Sequence, residues 1–131
     1  MVNIDYIMEL LDWNKTDSEQ RHGIALAKNV QSINVFLQPC NSTINKNVWE
    51  NCAIVLAEKS DEDLSPYLGE LLAWLQDMNW PGALCILDRL QKYVKTPSFY
   101  SVLNACFEKA KAENDYVWWN NLQMLKGECG I

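Results

Sequence analysis

The residues able to take part in catalysis are few and scattered. His22 is the only histidine. It sits beside Gly23 at the start of a helical segment, with no cysteine and no paired carboxylate near it in sequence. A general base needs a nucleophile or an orienting partner within hydrogen-bond reach, and the sequence offers none. The five cysteines, Cys40, Cys52, Cys85, Cys106 and Cys129, form no CxxC pair. With one histidine they do not match a zinc site. Cys52 and Cys106 fall on apolar helix stripes and read as reduced, packed thiols of a cytoplasmic protein. Asp61, Glu62 and Asp63 lack the spaced ligands and the glycine of a calcium loop. No phosphate-cradling glycine loop occurs. The expectation is therefore no enzyme, no metal and no cofactor.

A different chemistry is available between Glu58 and Asp77, where six acids accompany one base, Lys59. On a helix, Tyr67, Glu70, Trp74 and Asp77 recur at i, i+3, i+7 and i+10 and share a face. Aromatics supply contact area and carboxylates supply specificity, so this pattern suits a protein-binding surface. Asp61, Glu62, Asp63, Tyr67, Glu70, Trp74 and Asp77 are the candidate contact residues for a basic protein partner. A structural reading stands beside that one. Solvated helix faces account for the charges, Trp74 and Trp80 pack inward, and Asp77 caps a corner. The formal charge of −6 argues against a nucleic-acid partner.

The elements that carry these residues are helices. Leu68, Leu71, Leu72 and Leu75 make the buried stripe of a helix over Pro66–Asp77, capped by Ser65 with Pro66 at its first position. Pro81 disfavours helical dihedrals at Trp80, so this helix stops by Asn79, and Pro81 starts the next. Ala83, Ile86, Leu87, Leu90, Tyr93 and Val94 are the inward side of that second helix. The acidic Ser60–Asp63 stretch reads as a link.

Upstream, Asn3–Trp13 is amphipathic, with Ile4, Ile7, Met8 and Leu11 inward. Thr16-Asp17-Ser18-Glu19 matches a capping box for a helix reaching Val30. Ser32–Gln38 reads as a short helix, or else a strand, and Cys40–Lys46 as a polar loop. Asn47–Lys59 carries Val48, Trp49, Cys52, Val55 and Leu56 inward. Downstream, Thr96 caps a helix from Pro97 to near Glu113, and Asn114-Asp115 caps a last one ending near Lys126. Gly127–Ile131 reads as a tail. Trp118 and Trp119 point about 100° apart, so one packs inward and the other seals the last pair or is exposed.

The 131 residues fit one all-α domain of six to seven helices. Stacked helical pairs of the HEAT or armadillo kind, a short α-solenoid, are the expected arrangement, with a compact irregular bundle as the alternative. No run is long enough to span a membrane. The start, MVNIDYIMELLDW, carries Asp5, Glu9 and Asp12 and lacks the basic residues of a signal peptide.

LSPYLGE followed by LLAWLQDMNWPGA, with the later Asp115–Trp118 spacing, resembles a bacterial all-helical, HEAT-like family, domain of unknown function 5071. The resemblance covers Leu64 to Leu125, and WLQDMNWP is its most specific part. It implies a place in toxin–immunity neighbourhoods and, with it, an immunity-type protein that masks a toxin domain. The other readings are a helical-repeat scaffold that binds a peptide and, as a third, a HEAT-like nucleic-acid enzyme. That enzyme needs a basic concave face, which the net charge disfavours.

Overall fold

The computed structural model describes residues 3–38 and 46–126, and among them all regular structure is helical. The Cys40–Lys46 loop and the Gly127–Ile131 tail lie outside the described residues, except Lys46. Among the described residues no helix is long and apolar enough to cross a membrane.

α1 spans Ile4–Leu10, with Asn3 as its cap, the side chain accepting from the Tyr6 N–H at 3.1 Å. It is shorter than the stretch to Trp13, because Asp12 accepts the Asn14 N–H and turns the chain. α2 spans Asp17–Ala27 behind the expected capping box of Thr16 and Glu19. It ends before Val30, which is nevertheless buried. The short helix expected over Ser32–Gln38 is a 3-10 helix of one turn, Asn34–Phe36. A second 3-10 turn at Lys46–Val48 leads into α3, Trp49–Ala57.

The middle of the chain is more broken than the leucine periodicity predicts. Ser60–Asp63 is not a link: Ser60 accepts the Asp63 N–H at 3.0 Å and caps a single helical turn, α4, Asp61–Leu64. Ser65 therefore caps nothing. Pro66 sits in a 3-10 turn, Ser65–Tyr67, because it lacks the N–H that would continue an α-helix through it. α5 is only Leu68–Ala73, and a further 3-10 turn covers Trp74–Gln76.

The corner is a turn rather than a helix start. Ala83 donates its N–H to the Trp80 carbonyl at 3.1 Å, closing a turn with Pro81 and Gly82 at its centre. Gly82 has φ 86 and ψ −13, the left-handed geometry that the third residue of a type II turn requires. α6 then runs Ala83–Gln91, so Pro81 lies outside it. Val94, expected inward, is 63% exposed. It lies beyond the end of α6, and its N–H is held by Asp61 instead of following the helical stripe.

α7 spans Pro97–Ala112, with Thr96 capping and Pro97 first, as expected. Asn114, at φ 57, carries the chain out of α7, and Asp115 accepts the Trp118 N–H at the start of α8, Tyr116–Lys126.

α1 packs on α2, α2 on α3 and α3 on α6, while α5 packs on α7 and α7 on α8. α8 closes back on Trp74–Gln76 and α6. One apolar cluster runs through all of these, from Ile7 to Leu125, with Leu11, Phe36, Leu56, Leu72, Leu75, Leu90 and Phe99 fully buried. A buried amide ties the front to the middle. Asn51 donates to the Leu11 carbonyl at 2.7 Å and to Gln20 at 2.9 Å. Buried amides are tolerated where such bonds are made, and they fix register.

Candidate functional site

The acidic segment is built on α4 and the turns that follow. Asp61 is fixed from several sides. Its carboxylate takes the Arg89 guanidinium at 2.6 Å and the Val94 N–H at 3.0 Å. Arg89 also donates to the Lys59 carbonyl at 2.9 Å. Burial acts to raise the Asp61 carboxyl. The Val94 N–H, the bond and charge of Arg89, and the charge of Lys95 outweigh it, so the group titrates below its ordinary value. Asp61 is therefore a clasp joining α4 to the end of α6.

Glu62 and Asp63 differ: both are exposed. Asp63 lines a polar cleft of about 360 Å³ with Lys28, Val55, Glu58, Lys59 and Ser60. The ammonium of Lys59 points at the end of α2, donating to the carbonyls of Lys28 at 3.2 Å and Val30 at 3.3 Å. Lysine at a helix C-terminus complements its dipole. Lys28 pairs with Glu58 at 3.3 Å.

The other expected contact residues do not share a face with these. Trp74 is fully buried, edge-on to Trp49 at 6.1 Å, with its indole N–H on the Pro81 carbonyl at 3.0 Å. A large apolar ring whose one polar atom finds a partner is most stable inside, so Trp74 is not a contact residue. Tyr67 is half-buried against the core. Asp77 accepts the Asn79 N–H at 2.8 Å and belongs to the corner. Glu70 is half-exposed on a groove between α5 and α7. The stripe Tyr67–Glu70–Trp74–Asp77 assumed continuous α-helical rotation, and the 3-10 turn at Trp74–Gln76 breaks it.

Two aromatic features lay outside the candidate set. Trp49 also stands edge-on to Trp80 at 5.5 Å, with the Lys46 ammonium 5.4 Å from the Trp49 ring. Between α7 and α8, Phe107, Tyr116 and Trp119 line a cleft of about 440 Å³ with Asn104, Glu108, Lys111 and Gln123. Trp118 is the inward member of the tryptophan pair, its indole N–H on the Leu72 carbonyl at 3.0 Å. Trp119 packs edge-on to Phe107 at 5.8 Å, half-buried at the cleft. The adjacent tryptophans were the sequence signal for this cleft.

His22 is exposed, edge-on to Tyr6 at 6.4 Å. Burial raises the thiols of Cys52, Cys85 and Cys106 above their ordinary value. That weakens them as nucleophiles. Among the described residues, no three His, Cys, Asp or Glu side chains come together as a metal site.

No curated protein and no solved structure matches this chain. A family model does, described as Domain of unknown function (DUF5071), over residues 43–129. That match takes in α3 to α8, the exposed acids and both aromatic features, and the chain belongs to this family.

Proposed function

We propose that this protein is a binding module that docks a basic protein partner, an immunity-type protein that masks a toxin domain. The observation that carries the reading is the orientation of charge around α4. Glu62 and Asp63 face solvent, while Lys59 and Arg89 direct their donors to backbone carbonyls and to Asp61, and Lys28 pairs with Glu58. The contact set is thus Glu62 and Asp63, beside the Glu58–Lys28 pair. Asp61 positions the segment and does not itself dock. Exposed acids of this kind act on the association rate more than on affinity. The successive packing of α1, α2, α3 and α6 supports a short stack of helical pairs, the HEAT-like arrangement.

The cleft of Phe107, Tyr116 and Trp119 favours a second reading, a scaffold that takes a peptide between its last two helices. Aromatic-lined grooves suit extended or helical peptides.

The experiment starts from a basic protein encoded beside this one, co-purified with it and then titrated. Glu62→Lys with Asp63→Lys is expected to slow association and leave the fold intact. Tyr116→Ala with Trp119→Ala is expected to leave it unchanged. The reverse outcome replaces the acidic surface with the aromatic cleft.

A further inference from the structure

Among the described residues, two glycines have an internal reason and one has none. A Cβ at Gly23 would meet the Leu10 Cβ at 2.8 Å, and Gly82 holds a left-handed φ of +86°. At Gly69 an added Cβ would meet nothing within 4 Å. Gly69 is the second residue of α5, where alanine is the better helix former. A helical glycine without an internal neighbour is what a close external backbone approach requires.

Gly69 opens on the groove between α5 and α7, about 360 Å³ and mostly apolar, where Ala73, Ala105 and Trp118 also contribute. The α5 side carries Glu70, and the α7 side carries Lys109. Neither takes part in an ion pair among the described residues. A uniformly basic partner would be attracted by one lip and repelled by the other. A surface with the same two lips, turned over, satisfies both.

We propose that this groove is the contact between two copies of the chain in an isologous dimer. A two-fold axis along the groove lays α5 of each copy over α7 of the other. Glu70 then meets the second copy's Lys109, and the pairing occurs twice, since an isologous interface repeats every contact. Gly69, Ala73 and Ala105 let the backbones come close, as small residues do where helices cross. The net charge of −6 opposes association at long range. At physiological salt, with a screening length of about 8 Å, that repulsion is damped while the short-range pairs persist.

Sedimentation equilibrium at physiological salt, from low micromolar to millimolar protein, tests the proposal. The wild type is expected to pass from monomer to dimer. Gly69→Trp, whose Cβ meets no atom within 4 Å and whose ring occupies the groove, is expected to stay folded by circular dichroism and remain monomeric. Glu70→Lys and Lys109→Glu each place like charges together twice and are expected to weaken the dimer by about tenfold or more. The double variant restores opposite charges and returns towards wild type. A wild type that is monomeric throughout overturns the proposal. So does a dimer that Gly69→Trp leaves intact, or a double variant no tighter than either single one.

Discussion

Replacing Gly82 by alanine tests the corner that joins the two halves of the core. Two costs apply there. A residue with a Cβ in the left-handed region loses roughly 1–2 kcal/mol. The new methyl would also stand 2.7 Å from the Ala53 Cβ, 2.9 Å from the Trp49 carbonyl oxygen and 3.1 Å from the Trp74 ring. One of these is backbone and all are buried, so relief requires α3 and α6 to separate. Overpacking of this sort costs roughly 1–3 kcal/mol, and the two effects together come to about 2–5 kcal/mol. With a urea slope of about 2 kcal/mol/M, the midpoint falls by roughly 1–2.5 M. Gly69→Ala is the control, measured in dilute protein. Its methyl meets nothing, so the helix gains and the midpoint rises by a fraction of that amount. Gly82→Ala unfolding at the wild-type midpoint would refute the turn geometry. Gly69→Ala destabilising the monomer as much as Gly82→Ala would refute the packing argument for both.

The other predictions are independent of the corner. Leu72 is fully buried, and Leu72→Ala should cost roughly 2–5 kcal/mol in denaturant unfolding. An unchanged midpoint would contradict its place in the core. Asp61 titrates below its ordinary value when folded, so its contribution is present above the unfolded pKa of about 3.9 and is lost as pH falls through the lower folded value. Asp61→Asn should therefore lower stability at neutral pH and flatten the acid limb of the stability curve, and parallel acid limbs would count against the clasp. Cys52 is fully buried with its thiol raised, so brief alkylation followed by peptide mapping should label half-buried Cys85 before Cys52. Cys52 modified first would contradict the packing of α3.

The helical class was readable because its signals are local. The capping box at Thr16, the Thr96–Pro97 start and the Asp115 cap each depend on a few adjacent residues, and all three are present. The stripes of α3 and α7 were readable from period 3.6 alone. What escaped was any place where the period changes. Pro66 and the 3-10 turn at Trp74–Gln76 interrupt a run of leucines that looks uniform in sequence, and Trp74 follows the inward reading rather than the contact stripe. Asp61 escaped because its partners, Arg89 and Val94, are 28 and 33 residues away. The cleft of Phe107 and Trp119 likewise depends on how α7 meets α8, which adjacent tryptophans suggest but do not specify. Glu62 and Asp63 kept their expected exposure because they precede the break.

The most direct test of the proposed function is the association rate with the co-purified basic partner, measured across ionic strength. For the wild type the rate should fall steeply as salt rises, since exposed charges are screened within a Debye length of about 8 Å at 0.15 M. With Glu62 and Asp63 both changed to lysine, binding at low salt should be slower and its salt dependence flatter, while the folded spectrum is unchanged. A folded double variant that associates at the wild-type rate in low salt would contradict the claim that this acidic surface meets the partner.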